Sequence, residues 1–326
     1  MEPLANTPRL DPTATLHFVI NSRSGSQDGD GTRETIEAAL SAAGRPGQLH
    51  VCEPADLPQR TAELARQARE TNAAIVAVGG DGTINTVAQA AHAAGCALGV
   101  IPRGTFNYFA RTHGIATNVA DAMAQLLGAR PEPVQVAAVN EHLFLVNASL
   151  GLYPDLLEDR EFWKNRFGRS QWVAIWAAFA TLFRAQRRLK LRIELNGAPR
   201  EVQTLTLFVG NNRLQLEQVG VVEDQRPDGA RDNGRVTAVM LKPTGTFALL
   251  RLMLRGAMGT LGEADDIERF EFQRMVVRAP ALMARRRMKV AFDGEVVHLR
   301  PPLDIHVLPT PLYLLKPAPA DREVPA

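Results

Sequence analysis

The chain has 326 residues, enough for two hydrophobic cores, and its 45% apolar and 22% charged residues are ordinary for a folded protein. Lys and Arg number 37 against 35 Asp and Glu, a formal net charge of +2 that gives no reason to expect nucleic acid as a partner. The two cysteines, Cys52 and Cys96, each sit in an apolar stretch, which argues for buried thiols in a reducing cytosol rather than a disulfide framework. Met1 to Thr13 lacks the apolar core of a secretory signal. The longest strongly apolar segment, Trp172 to Phe183, is shorter than the ~20 residues of a membrane span.

In chain order, Leu16 to Ile20 predicts a buried strand that ends in the polar stretch Asn21-Ser22-Arg23-Ser24-Gly25. Thr35, Ile36, Ala39, Leu40 and Ala43 then recur at helical spacing and stop at Gly44. A strand at Leu49 to Cys52, a helix over Leu57 to Thr71 and a strongly buried strand over Ala73 to Val78 follow. That strand runs directly into Gly79-Gly80-Asp81-Gly82, after which Thr83 to Ala94 reads as helix and Ala97 to Ile101 as strand. Strand and helix alternating with short connections predict a doubly wound parallel sheet, in which ligands bind beyond the carboxyl ends of the strands. The loops after Ile20, Val78 and Ile101 all belong to that edge.

Past Pro131-Glu132-Pro133 the pattern changes to mostly antiparallel strands, at 134–139, 143–148, 189–195, 204–209, 236–241, 275–279, 288–292 and 303–308. Asn196-Gly197 and Asp293-Gly294 have the composition of tight hairpin turns. Two helices, near 160–188 and 245–260, are expected as insertions. The organisation expected is an α/β domain over 15–133 and a β-rich domain over 134–308, with 1–14 and 317–326 disordered.

The chemistry concentrates in Val78-Gly79-Gly80-Asp81-Gly82-Thr83. Three glycines let backbone N–H groups approach a ligand, and the loop feeds a helix whose first turn carries N–H donors and partial positive charge. Those features suit phosphate, and Thr83 adds a hydroxyl. Asp81 makes sense there if it faces magnesium or takes a proton from an attacking hydroxyl; the alternative is a plain strand-to-helix turn with an Asp cap. Pro102-Arg103-Gly104-Thr105-Phe106-Asn107 follows another strand. Gly104 and Thr105 are placed to close over the same phosphates, and Asn107 to fix the loop through side-chain bonds to backbone.

The ordered set Asn21…Ser24-Gly25, Gly79 to Thr83 and Pro102…Gly104-Thr105…Asn107…Phe109-Ala110-Arg111 resembles the diacylglycerol kinase catalytic domain family. Asn147-Ala148-Ser149-Leu150-Gly151 and Asp293-Gly294-Glu295 followed by Pro301-Pro302 extend the likeness over residues 15 to 316. The resemblance implies an α/β nucleotide-binding domain and a C-terminal antiparallel β-sandwich, with nucleotide between them and residues 309–316 returning to the first domain. It implies ATP and magnesium as cofactors and a lipid hydroxyl, such as that of diacylglycerol, as acceptor. ATP-binding residues would be Asn21, Ser24, Gly25, Gly79, Gly80, Asp81, Gly82, Thr83, Asn85 and Thr105. Asp81, Asp293 and Glu295 would be the candidates for deprotonating the acceptor, and Asp155 the headgroup ligand. Arg166 and Arg169 are further candidates for ATP phosphates.

The chain departs from that family at Thr86, where Glu is usual, and at Tyr108, where Asp is frequent. Asp232-Asn233-Gly234 stands where bacterial members often have Asp-Asp-Gly for a structural magnesium, and loss of one carboxylate weakens a hard-cation site at Asp232 and Asn233. Trp172, Ile175, Trp176, Phe179, Leu182 and Phe183 recur at helical spacing before the basic Arg184, Arg187 and Arg188, a helix that either covers the β domain or lies in a lipid headgroup region; Arg285-Arg286-Arg287 is a second basic cluster. The expected partners are therefore a lipid substrate and, peripherally, an anionic membrane surface on the cytoplasmic side, with no nucleic acid and homodimerisation open. Two alternatives stand beside the lipid kinase: a kinase with a soluble acceptor such as NAD, and a non-catalytic lipid- or nucleotide-binding protein.

Overall fold

The computed structural model describes residues 7–23, 29–151, 154, 189–195, 198–211, 234–243, 267–280 and 286–322. The chain divides into two compact units, one of residues 1–136 with 309–326 and one of residues 137–308. Among the described residues no helix is long and apolar enough to cross a membrane.

In the first unit, β1 (Leu16–Asn21), α1 (Gly29–Ala42), β2 (Gly47–Cys52), α2 (Leu57–Glu70), β3 (Ala74–Gly79), α3 (Asp81–Ala94) and β4 (Ala97–Pro102) alternate as the periodicity predicts. They continue into α4 (Tyr108–Thr112), α5 (Val119–Gly128) and β5 (Arg130–Val134), and the chain's last strand, β18 (Leu312–Lys316), returns to the same sheet. The strand order is β2-β1-β3-β4-β18-β5. All pairings are parallel except β18 with β5. β3 and β4 lie in the middle and every residue of both is buried, which is why they read as continuous apolar runs. Each fully buried Ile or Leu there contributes about 1.5–3 kcal/mol relative to exposure.

Three expectations need correction in this unit. Pro131-Glu132-Pro133, taken as a boundary, forms most of β5, which pairs antiparallel with β18. Proline has no N–H to give a ladder, but in an edge strand alternate residues face away from the partner, so prolines two apart both fall on the open side. The segment before β1 is ordered from residue 7: the Asp11 N–H donates to the Asn72 carbonyl at 2.9 Å, and Arg45 donates to the Asp11 carbonyl at 3.0 Å. The segment after Lys316 is ordered as far as Arg322, whose guanidinium donates to the Pro317 carbonyl at 3.0 Å and to Glu132 at 2.7 Å. Both thiols are buried, as expected; desolvation raises the Cys52 thiol and pushes Cys96 up to about 12.

The second unit holds β6 (Ala137–Val139), β7 (His142–Phe144), β8 (Asn147–Gly151), β9 (Leu189–Leu195), β10 (Ala198–Thr204), β11 (Thr206–Gly210) and β12 (Val236–Leu241). β13 (Ile267–Phe272), β14 (Arg274–Arg278), β15 (Met288–Phe292), β16 (Glu295–Leu299) and β17 (Leu303–Val307) complete it among the described residues. They form two sheets, β10-β9-β14-β17-β6-β7 and β13-β12-β11-β8-β15-β16, with antiparallel pairings throughout. Both sheets send alternate side chains into one core. Leu191, Ile193, Met275 and Ile305 come from the first sheet, and Leu150, Leu207, Val236 and Phe292 from the second. This is the β-sandwich expected. The strand expected over 134–139 is divided, Val134 closing the first unit's sheet and Ala137 opening the second's. The helices expected near 160–188 and 245–260 lie outside the described residues.

Candidate functional site

The site in the first unit begins with register. Ile20 is paired with Val78, and Val78 with Ile101, so β1, β3 and β4 end level at one edge of the sheet. The Arg103 N–H donates to the Gly79 carbonyl at 2.8 Å, carrying the β3–β4 ladder one step beyond the strands. The loop after β3 and the loop after β4 therefore leave side by side.

Their glycines face each other. A Cβ on Gly80 would stand 3.5 Å from the Gly104 Cα, and one on Gly104 would stand 3.1 Å from the Gly80 Cα and 2.7 Å from the Asn107 Oδ1. The two backbones are in contact, and a side chain at either position would force the loops apart. Gly80 is also the N-cap of α3 and brings no side chain to the first turn of that helix. Beside that contact the first turn of α3 presents N–H donors and positive dipole to an anion of phosphate size.

Asp81, the first residue of α3, holds its carboxylate where the helix dipole stabilises negative charge. Its Oδ2 accepts the backbone N–H of Asn107 at 3.2 Å. Asn107 in turn grips Gly104 twice, its Oδ1 accepting the Gly104 N–H and its Nδ2 donating to the Gly104 carbonyl, both at 2.9 Å. Asn107 sits in the left-handed region at φ 50°, which asparagine tolerates better than most residues. The role expected of it, fixing the loop through side-chain bonds to backbone, is what the structure shows.

Thr83 is buried, and its Oγ1 accepts from the Asn21 Nδ2 at 3.2 Å. A Cβ on Gly79 would meet the Thr83 side chain at 2.7 Å, so Gly79 is where Thr83 packs. Asn21 and Thr83 thereby lock the end of β1 to the start of α3. Asn85 is buried one turn on, its Oδ1 accepting from the Gln89 Nε2 at 2.7 Å. Thr105 is exposed beside Gly104. The structure thus brings Asn21, Gly79, Gly80, Asp81, Thr83, Gly104 and Asn107 together. Ser24 and Gly25 lie outside the described residues, as do Asp155, Arg166, Arg169, Asp232, Asn233 and the Trp172 to Arg188 stretch.

In the second unit, Asp293 and Gly294 make the two-residue turn between β15 and β16, with φ of 49° and 90° and Phe292 opposite Glu295. Positive φ at both positions is the turn type that matches strand twist. The Asp293 carboxylate reaches back across the sheet: Oδ2 accepts the Leu145 N–H at 2.7 Å, and Oδ1 accepts those of Val146 and Asn147 at 2.8 and 3.1 Å. Asn211, which sequence reasoning did not single out, holds the same segment through the Leu145 and Val146 carbonyls at 2.9 Å. No spacing or motif marks it, because its partners are backbone atoms 65 or so positions away. Glu295 is exposed, yet its carboxyl is held above the ordinary range by desolvation and then by the charge of Asp293.

Comparison with known proteins converges on one family. Residues 15–139, from β1 through β6, match the diacylglycerol kinase catalytic domain. A Staphylococcus epidermidis protein named as a presumed lipid kinase is 26% identical over 243 residues, covering 73% of this chain and 75% of its own. A Staphylococcus aureus protein of the same name is 26% identical over 248 residues, with the same coverage. A solved structure of a presumed diacylglycerol kinase from Bacillus anthracis superposes with a TM-score of 0.68 at 22% identity, covering 94% of this chain and 98% of that one. At that identity the likeness speaks for the fold.

Proposed function

We propose that this chain, whose residues 15–139 match the diacylglycerol kinase catalytic domain, transfers the γ-phosphate of ATP to the hydroxyl of a membrane lipid such as diacylglycerol, giving a phospholipid. The observation that carries this reading is the close approach of Gly80 and Gly104 at the start of α3, with the Asp81 carboxylate held beside it by Asn107. The N–H donors of that glycine-lined helix start suit the phosphates of ATP. A carboxylate beside them would repel the ligand unless a hard cation accompanied it, which suits magnesium entering with the nucleotide. That cation would supply neutralisation of phosphate charge.

The chain's own groups would act as follows. Backbone N–H groups of the first turn of α3 hold the phosphates, and Thr105 closes over them. Asn21 and Thr83 keep β1 and α3 in register. Asp81 orients the acceptor hydroxyl and accepts its proton as the hydroxyl oxygen bonds to the γ-phosphorus and the bond to the β-phosphate oxygen breaks, releasing ADP. Positioning and charge stabilisation carry most of the acceleration, with the base adding about 10²–10⁴-fold. Asp293 suits the base role less well than Asp81, because protonating it would set an O–H against three backbone N–H donors.

The test is transfer of labelled γ-phosphate to vesicle lipids by wild type and Asp81→Asn, with ATP affinity measured beside it. The amide keeps an acceptor for the Asn107 N–H but cannot take a proton. Turnover is expected to fall at least about 10²-fold with ATP affinity retained. Equal turnover would remove Asp81 from the chemistry, and absence of ATP binding by wild type would remove the reading altogether.

A further inference from the structure

Among the described residues, Phe106 is one of two large hydrophobic side chains that stand exposed, at 42% of its surface; the other is Val51, on the edge strand β2. Phe106 lies two residues beyond Gly104. Along the loop the side chains alternate: Asn107 and Phe109 are buried at 5% and 2%, whereas Phe106 is exposed and Tyr108 partly so. The Phe106 and Tyr108 rings stack, with centroids 5.6 Å apart and planes within 2° of parallel. Asn107, between them, is the residue that grips Gly104 and bonds to Asp81, so the ring pair is rigidly tied to the proposed phosphate site. Between Pro102 and Thr112 the charged residues are Arg103 and Arg111, with no carboxylate.

An exposed, ordered aromatic pair flanked by arginines has the chemistry of a segment that enters a headgroup layer, rings toward the acyl boundary and guanidinium groups toward anionic lipid. A nucleobase is the competing occupant. Each ring already uses one face on the other, which leaves a base only the outer faces of the pair.

We infer that Phe106 and Tyr108 insert into the anionic lipid surface that presents the acceptor and hold the phosphate site against it. The inference rests on the lipid kinase reading for why a membrane should be there, but its test does not depend on turnover. The full chain would be sedimented with vesicles of phosphatidylcholine alone and of phosphatidylcholine with phosphatidylglycerol, alongside ATP titration without lipid. Wild type is expected to partition onto the anionic vesicles. Phe106→Ser should lower that partition about tenfold or more, the loss of one buried ring, with ATP affinity unchanged. Phe106→Trp provides a positive signal: bromine-labelled acyl chains should quench its fluorescence beyond any quenching of wild type.

Partition of Phe106→Ser equal to wild type, an unquenched Phe106→Trp, or a wild type that stays in solution with both vesicles would overturn the inference. A fall in ATP affinity of Phe106→Ser with vesicle binding intact would place a nucleobase on the ring and overturn it as well. Failure of the kinase reading would look different: normal vesicle binding with no phosphate transferred to any lipid.

Discussion

The backbone N–H of Asn107 donates to the carboxylate of Asp81 at 3.2 Å, across 26 positions of sequence. Through that bond the loop after β4 and the first turn of α3 move as one body, and the side chain of the same asparagine fixes Gly104 opposite Gly80. A contact between two backbones is otherwise easily deformed, because glycines resist little. Asn107 supplies the stiffness they lack.

Asn107→Ala should therefore loosen that contact and strain the fold together. It leaves the Gly104 N–H and carbonyl without their side-chain partners and puts alanine at φ 50°. The expected cost is about 2–3 kcal/mol of stability, with weakened ATP binding. Asn107→Gly relieves the backbone strain but not the lost bonds, so it should recover part of the melting temperature and none of the affinity. Calorimetry with ATP titration of both variants checks this; equal affinity in wild type and Asn107→Gly would show that the side-chain grip is not needed.

Gly104→Ala tests the contact itself. The added methyl would meet the Gly80 Cα at 3.1 Å and the Asn107 Oδ1 at 2.7 Å, pushing the two loops apart and displacing the N–H donors proposed to hold phosphate. A loss of ATP affinity of about tenfold or more is expected, the scale of one misplaced charge-assisted hydrogen bond. Gly128→Ala is the control: its Cβ meets nothing within 4 Å at the end of α5, and it should bind ATP as wild type does with stability unchanged or slightly raised. Parallel effects of the two substitutions would mean the methyl at 104 acts through global stability alone.

The α/β half was legible because its signals are local. Continuous apolar runs marked β3 and β4 as doubly covered strands, and glycine after each marked the edge where they end. The three loops singled out do leave one edge of one sheet. What stayed hidden depends on partners distant in sequence. Pro131 and Pro133 look like punctuation until β18 is seen beside them, and only an edge position makes two prolines compatible with a strand. Asp293 reads as a turn residue or a base from its motif. Its three bonds to Leu145, Val146 and Asn147 span about 150 positions and leave no mark on spacing.

That clamp gives a prediction that separates structure from chemistry. Asp293→Ala would leave three backbone N–H groups in the second unit without their acceptor, with a cost of about 3 kcal/mol or more. Hydrogen exchange at residues 145–147 should accelerate and the unit's thermal transition should fall. Asp293→Asn keeps one carbonyl oxygen but turns an amide NH₂ toward an N–H, so it should recover only part of the loss. A variant that loses turnover while its exchange at 145–147 stays as in wild type would make Asp293 a chemical group rather than a clamp.

The last prediction concerns pH and the strand that carries Asn21. His17 on β1 is buried, and its Nδ1 lies 3.4 Å from the Nε2 of His50 on β2, with the Arg60 guanidinium from α2 3.5 Å from the His50 Nδ1. Burial first, and the Arg60 charge second, lower both imidazoles below the ordinary 6.5. The Cys52 thiol on β2 is raised by burial, and Arg60 is the charge that bears on the pair at neutral pH. With the folded pKa depressed, the unfolded chain takes up protons first. The pair's contribution to stability is thus complete above about pH 6.5 and is lost as pH falls from there through the folded values. The first unit should melt at progressively lower temperature from pH 7 to pH 5. His17→Gln with His50→Gln should flatten that slope, since glutamine can keep one hydrogen bond across the strands without a proton to gain. An unchanged slope in the double variant would move the pH sensitivity elsewhere in the unit.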